Sequence, residues 1–396
     1  MVNNMQKTRI ARIEELGEVV GGGTPKTENP EYWNGDIPWI SPSDLTGYTN
    51  VYISRGANNI TELGLKKSST KLLPKGTVLL SSRAPVGYLA IAENDICTNQ
   101  GFKSIICNES INNLYLYYYL KQNTDQLKAF ASGATFPELS GKSLKKIKIE
   151  VFEDIDYQKT IADIVYKYDR LIEINNKRIK LLEQTAQEIY KEWFVRFRFP
   201  GYENTRFENG LPTGWNVCRL DEIASILMGQ SPESIYYNRS NDGLPFHQGV
   251  GSYGDYYLID DVYSTEGKRI AEPNSIIFSV RAPVGRININ LNKIILGRGV
   301  AAINSKTGNN HYLYWALRNR FSEEDTIGNG SIFVSVTKDE LNKQKMLVPE
   351  QRLILLFDNI ASTYEKEQRC LYLSNQNLIK QRDYLLPRLM SGKLEV

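Results

Sequence analysis

Histidine is almost absent: 396 residues contain two, His247 and His311. Histidine is the side chain whose ordinary pKa suits proton transfer near neutral pH, so a histidine-based active site has little to be built from. Cysteine is nearly as scarce. Cys97, Cys107, Cys218 and Cys370 show no Cys-x-x-Cys spacing, so no structural zinc site is expected and no metal ligand is assigned. The four read as free thiols of a reducing compartment. No apolar run approaches 18 residues, and the opening MVNNMQKTRI is polar with no signal core. The expectation is a cytoplasmic protein that does not span a membrane. An excess of one charge is missing too. Residues 1–200 hold 26 Lys+Arg against 23 Asp+Glu, and residues 201–396 hold 22 against 22. Nucleic-acid binding therefore has to come from local patches rather than from net charge.

Motifs of chemistry are also missing. No HExxH, GxSxG or Cys-His pairing occurs. Ser140-Gly141-Lys142-Ser143 looks like the end of a phosphate-binding loop, but residue 136, where the first glycine belongs, is Phe. Asn29-Pro30-Glu31-Tyr32 resembles the Asn-Pro-Pro-Tyr motif of adenine methyltransferases without its second proline, and reads as a turn. Gly21-Gly22-Gly23-Thr24-Pro25-Lys26 lacks GxGxxG spacing, so its backbone N–H groups suit a DNA phosphate better than a cofactor. No catalytic residue is assigned.

What is present is a repeat. Arg-Ala-Pro-Val-Gly occurs at Arg83 and again at Arg281, and 281 − 83 = 198, half of 396. Gln100-Gly101 faces Arg298-Gly299 at the same offset. Gly133-Ala134-Thr135-Phe136 faces Gly330-Ser331-Ile332-Phe333 at 197, and Leu16-Gly17-Glu18-Val19 is matched upstream with Leu220-Asp221-Glu222-Ile223. Between these anchors the halves diverge. Two copies of one scaffold, each carrying its own insertions, suggest one job performed on two targets. Each Arg-Ala-Pro-Val-Gly follows an apolar strand and marks a turn. The arginine can reach a phosphate or base edge, or pair with a carboxylate inside the fold. The residues leave both open.

Each half ends in a long helix. Ile161, Val165, Tyr168, Ile172, Asn175, Ile179, Leu182, Ala186, Ile189 and Trp193 fall on alternating steps of four and three, an apolar seam without Gly or Pro from Gln158 to Phe199. Ile354, Phe357, Ala361, Tyr364, Gln368, Leu371, Asn375, Leu378, Arg382, Leu385 and Leu389 repeat it. At about 1.5 Å per residue the first seam spans roughly 48 Å, and its expected partner is the second, with Asn175 matched to Asn375. The fold class that follows is α+β: two similar globular α/β modules separated by two long helices that form an antiparallel intramolecular coiled coil, with pseudo-two-fold internal repetition. The divisions are 1–155, first module; 156–200, central helix; 201–348, second module; 349–396, C-terminal helix. A rod between two modules spaces two half-sites on DNA. The exposed face at Trp193-Phe194-Val195 suggests a chain that prefers company.

In this order the motifs resemble the specificity subunit of type I restriction-modification enzymes. The resemblance covers nearly the whole chain. It is carried by GGGTPKTENPEYWNGDIPWIS at 21–41, SSRAPVG at 81–87 and LLEQTAQEIYKEWFVRFRFPGYE at 181–203. In the second half it is carried by MGQSPES at 228–234, GLPFHQG at 243–249, RAPVG at 281–285, GRGVAAI at 297–303 and YLLPRLMSGKLEV at 384–396. It implies that each module is a target recognition domain reading one half of a bipartite double-stranded DNA target. The helices would fix the spacer and dock two methyltransferase subunits, which restriction (motor) subunits join. S-adenosylmethionine, ATP and Mg would belong to those partners, with no cofactor in this chain. The Gly-Arg-Gly turn is intact at 297–299, whereas Gln100 stands where Arg298 stands.

Base edges are read by Arg, Lys, Asn, Gln, Ser and Thr. The candidates for DNA binding are Thr24, Lys26, Ser41, Arg83, Gln100 and Thr135 in the first module, and Gln230, Ser231, His247, Gln248, Arg281, Arg298 and Ser331 in the second. Ser41 and Ser231 are also suited to turn capping, and Trp39 to a core role. Two other functions stay open. One is a coiled-coil scaffold that reads no sequence. The other is the specificity subunit of a methyltransferase-only or related bipartite-site system.

Overall fold

The computed structural model describes residues 6–83, 85–132, 137–321 and 335–396. The chain divides into two compact units: residues 1–178 with 370–396, and residues 179–369. This differs from a division into modules and spacers. Each unit takes a globular module together with part of both long helices, because the helices bury their apolar stripes against the modules as well as against each other.

In the first unit, strands Thr8–Arg12 and Lys148–Phe152 pair antiparallel and close the module beside the helices. A five-stranded sheet follows in the order Gly17–Gly21, Lys103–Cys107, Val78–Ser82, Val86–Ala92, Tyr52–Ile53. A three-stranded sheet contains Asn58–Ile60, Trp33–Ile40 and Cys97–Thr98. Strand Val78–Ser82 is buried at every position, as befits the centre of a covered sheet. The tyrosine-rich helix Asn113–Gln122 packs Tyr115 and Tyr118 into the main core with Ile161, Val165 and Leu389 from the long helices.

The second unit repeats the plan. Asn216–Arg219 pairs with Lys345–Val348. A four-stranded sheet runs Ala224–Met228, Val300–Ser305, Ile276–Ser279, Ile287–Ile289, and a five-stranded one includes Leu244–His247 and Ile294–Leu296. The strand pairs correct one alignment. Gly21 pairs with Lys103 and Met228 with Ala301, so Ile13-Glu14-Glu15-Leu16 is the counterpart of Leu220-Asp221-Glu222-Ile223, and Leu16-Gly17-Glu18-Val19 is not. The same shift brings Gly22-Gly23-Thr24-Pro25 over Gly229-Gln230-Ser231-Pro232.

The long helices are Ile155–Tyr190 and Gln351–Met390. Within the first unit they run antiparallel. Asp169 meets Arg382, and six residues on, Asn175 Nδ2–H donates to Asn375 Oδ1 at 2.8 Å. Asn375 in turn donates to Asn176 Oδ1 at 2.8 Å, so the matched amides are satisfied inside the seam. Ile161, Val165, Ile172 and Leu371 are buried there, while Leu378 and Leu385 are half-buried. Asp169, which the heptad pattern missed, is only 6% exposed. It accepts from Tyr118 Oη–H at 2.8 Å and lies 3.7 Å from Lys121 Nζ. Burial pushes the Lys121 amine below its ordinary value, against the pull of Asp169.

In the second unit the order is again antiparallel. Gln368 Nε2–H reaches the Ile179 carbonyl at 3.1 Å, and the Tyr190 ring meets Phe357 edge-on at 5.6 Å. Ala186 and Phe357 are buried, whereas Ile179, Leu182, Ile189 and Tyr364 are half-buried. Instead of continuing regularly to Phe199, the central helix widens into a π-helical turn at Lys191–Val195. That turn swings Phe194 inward to 2% exposure against Tyr312, Phe357 and Trp215. Of the three residues expected on an exposed face, Val195 alone is exposed.

Candidate DNA-reading junctions

In each module four chain segments meet at one place, and backbone hydrogen bonds fix the meeting. In the first, the glycine turn docks through Gly22 N–H to the Phe102 carbonyl (3.4 Å) and Gly23 N–H to the Thr98 carbonyl (2.9 Å). The end of strand Trp33–Ile40 is held by Asn99 N–H to the Ile40 carbonyl at 2.9 Å, and Ser82 N–H reaches the Gly101 carbonyl at 2.7 Å. In the second, Gly229 N–H bonds the Val300 carbonyl (3.0 Å) and Gln230 N–H the Leu296 carbonyl (2.8 Å). Gly297 N–H bonds the His247 carbonyl (2.8 Å) and Val280 N–H the Gly299 carbonyl (2.9 Å). The bonds correspond one for one. They place Thr24 over Ser231, Ser41 over Gln248, Gln100 over Arg298, and Arg83 over Arg281.

The arginine turns are built alike. Ser81 Oγ–H donates to the Pro85 carbonyl at 2.7 Å and accepts from Tyr88 N–H at 2.8 Å. Ser279 Oγ–H donates to the Pro283 carbonyl at 2.7 Å and accepts from Arg286 N–H at 2.9 Å. A buried serine thus holds each turn from inside. Arg83 and Arg281 follow, each bridged through its backbone, to Glu138 and Ser335 respectively. Arg281 is exposed and Arg83 half-buried.

The side chains at the two junctions differ. In the first, the Thr24 hydroxyl donates to the Gln100 side-chain carbonyl. The Ser41 hydroxyl donates to Asp44 Oδ2 at 2.7 Å, and its backbone N–H reaches the same oxygen at 2.7 Å. Asp44 also accepts from Ala57 N–H at 2.8 Å, so Ser41 anchors a loop. The spacing Ser41-x-x-Asp44 is the legible signal for that cap. Trp39 is buried, its indole N–H donating to the Gly23 carbonyl at 3.0 Å and its ring edge-on to Trp33 at 5.1 Å. It supports the glycine turn from beneath. Lys26 is exposed just beyond that turn. Asn29 accepts from Glu31 N–H at 3.3 Å and caps a turn.

In the second junction Ser231 Oγ accepts from the Arg298 backbone N–H at 3.1 Å. The Arg298 side chain stays exposed, as do Gln230 and Gln248. A Cβ on Gly297 would lie 2.7 Å from Gln248 Cα, and one on Gly299 would lie 2.2 Å from the Gln248 carbonyl oxygen. Both glycines of Gly-Arg-Gly are therefore needed for the Gln248 backbone to pass so close, which sets Gln248 beside Arg298.

One candidate is corrected. His247 is 1% exposed. Its Nδ1 lies 2.8 Å from Ser252 Oγ and its Nε2 2.9 Å from Asp260 Oδ1. It offers no atom to a DNA duplex. Its counterpart in the first module is the core residue Ile40, 0% exposed, so His247 fills a core slot and ties down the loop over it. Burial pushes the Asp260 carboxyl up, but hydrogen bonds from His247 and Asn292 prevail and hold it below its ordinary value. Thr135 and Ser331 lie outside the described residues. Among the described residues no group of three or more His, Cys, Asp or Glu is arranged to hold a metal, and no helix is long and apolar enough to cross a membrane.

Two similar modules, each presenting polar side chains at a junction held from below, define a class of duplicated recognition protein. Comparison with known proteins makes the class specific. The family profile described as the type I restriction modification DNA specificity domain matches twice, at residues 5–184 and 212–366. The chain is 35% identical to the type I restriction enzyme MjaIX specificity subunit of Methanocaldococcus jannaschii, covering 98% of this chain and 93% of that one. It is 33% identical to the Escherichia coli EcoR124I/EcoR124II specificity subunit over 48% of each chain. In fold it resembles the S subunit of a type I restriction-modification system from M. genitalium, with a TM-score of 0.64 over 98% of both chains at 15% identity. The chain belongs to the family of type I restriction enzyme specificity subunits.

Proposed function

We propose that the chain is the DNA sequence-specificity subunit of a type I restriction-modification complex, and that each module reads one half of a bipartite double-stranded target. The observation that carries this reading is the pair of equivalent junctions with different side chains. Thr24 and Gln100 are coupled in one. In the other, Ser231 holds the Arg298 backbone and leaves the guanidinium exposed. An exposed arginine fits the O6/N7 edge of guanine, and a glutamine fits adenine. One scaffold with two sets of donors and acceptors suits two half-sites.

The paired helices set the spacer and dock two methyltransferase subunits, and restriction subunits complete the assembly. Methyl transfer with S-adenosylmethionine and cleavage with ATP and Mg belong to those partners. This chain supplies recognition and no chemistry. A scaffold without sequence reading is not favoured, because it has no use for two junctions that keep the same backbone bonds and carry different side chains on them.

The test is to co-express the chain with a type I methyltransferase subunit and map methylated adenines in genomic DNA. Two short half-sites around a fixed unspecific gap are expected. A stable complex that methylates without sequence preference would reject the reading.

A further inference from the structure

We propose that the first module carries a DNA-backbone clamp with no counterpart in the second, so that the two modules, though both read sequence, hold the duplex with unequal electrostatic grip. The inference rests on the DNA-reading function above. Its location is an open groove of about 410 Å³ lined by Lys103, Lys142, Lys145 and Lys146 together with Glu14 and Gly141. Lys142, Lys145 and Lys146 are exposed. They belong to the short helix Gly141–Lys146, capped by Ser140 Oγ, which accepts from Ser143 N–H at 3.0 Å. This is the stretch that imitates a phosphate-binding loop in the sequence.

Lys103 is built into the groove rather than waving from it. Its side chain is 19% exposed. A Cβ on Gly141 would lie 3.6 Å from its Cδ, so the stem lies along the bare backbone there. Across the sheet it pairs with Gly21, again a residue without a side chain to fill the space. Its Nζ lies 3.5 Å from the Gln100 carbonyl and 3.8 Å from Glu138 Oε1. The groove is thereby continuous with the reading junction: Gln100 stands at one end of Lys103, and Glu138 is the residue bridged to Arg83.

In the second module most of this arrangement is altered. Ala301 takes the place of Lys103, Met228 of Gly21, Lys338 of Gly141, Asp339 of Lys142 and Asn342 of Lys145. Only Lys343 matches Lys146. Counting Glu14 and the Glu138 beside Lys103, the first module carries four lysines and two carboxylates. The equivalent positions of the second carry Lys338 and Lys343 against Asp221 and Asp339. A cluster of lysines beside a base-reading residue, with the sign removed in the sister copy, fits the regularly spaced negative charge of a DNA backbone.

The experiment uses the full chain assembled with its methyltransferase subunit and measures affinity for target and scrambled duplexes across a salt series. The variant is Lys142→Gln/Lys145→Gln/Lys146→Gln, whose side chains are exposed, with Lys103→Gln as a separate variant. The slope of log affinity against log salt should fall by about 0.9 for each phosphate that is no longer neutralised, so by two units or more for the triple variant. The ratio of target to scrambled affinity should be unchanged. Lys338→Gln/Lys343→Gln should leave the slope within about 0.5 of the parent value, less than the share of a single phosphate. An unchanged slope in the triple variant overturns the clamp, as does a variant that binds DNA normally but no longer assembles with the methyltransferase, which would make the groove a protein dock. If the parent complex shows no target preference at all, it is the DNA-reading function that falls.

Discussion

The two junctions share their backbone bonds and differ in what those bonds carry. In the first module the loop residue Gln100 is engaged by Thr24 through side chains. In the second, Ser231 holds Arg298 by its backbone and frees the guanidinium. Beneath them the slot filled by Ile40 in one copy is filled in the other by His247, with Asp260 and Ser252 around it. The helix seams differ as well. The first unit buries Asp169 against Arg382, whereas the second buries the aromatic group of Tyr190, Phe194 and Phe357. Hydrogen bonds between backbones leave side chains free to diverge, so a duplicated scaffold can keep its shape while its recognition surface changes.

The seams offer the largest effects. Phe357→Ala should cost the second unit about 3–5 kcal/mol through the cavity it leaves. Arg382→Met should cost the first unit about 1–3 kcal/mol, because the buried Asp169 loses its guanidinium and keeps Tyr118 and Lys121. Asp169→Leu/Arg382→Met together should recover only part of that loss, because Tyr118 and Lys121 then lose their acceptor. Chemical denaturation read by hydrogen exchange assigns each loss to its unit. If both variants loosened both units equally, the difference between the seams would have no energetic meaning.

Next come the candidate reading residues. Arg298→Ala and Arg281→Ala should each weaken target binding by about 1–3 kcal/mol and relax one position in the half-site of the second module. A uniform loss on all sequences would make either arginine a phosphate ligand, and lowered stability with normal binding would make it structural. Gln100→Ala should relax only the other half-site. His247→Ile, which copies the first module's slot, should destabilise the second unit by about 1–3 kcal/mol because Asp260 and Ser252 each lose one hydrogen bond. Base preference should not change. A change in preference would return His247 to the reading surface.

The smallest effect is with pH. Asp260 titrates below its unfolded value in the folded unit. Its contribution is therefore complete above about pH 4 and is lost as pH falls further. Asp260→Asn should flatten the acid limb of the second unit's stability without altering the first. An identical acid limb in parent and variant would show that the His247–Asp260 pair adds nothing.

Much of this was legible in the chain. The recurrence at Arg83 and Arg281 gave the duplication, because turns that need Gly and Pro tolerate little else. The four-three spacing gave both helices, and the two mid-seam asparagines gave their pairing. Three things were hidden. Asp169 lies one residue off the heptad, where periodicity expects Tyr168, and its burial depends on Tyr118 and Arg382, which are distant in sequence. The π-helical turn that buries Phe194 has no signal in the pattern. His247 looked like a recognition residue because a polar side chain between Phe246 and Gln248 reads as exposed. Only the strand pairing shows that it occupies a core position. The register of the first strands was also misread, since Leu, Glu and a β-branched residue recur there at several offsets.

The central claim is that each module reads its own half-site. The most direct measurement is the methylation map of a chain whose residues 1–155 are replaced by those of a relative with a different target, co-expressed with the same methyltransferase subunit. One half of the split motif should change, while the other half keeps its sequence. If both halves changed, or neither did, the two junctions would not be independent readers and the account would be wrong.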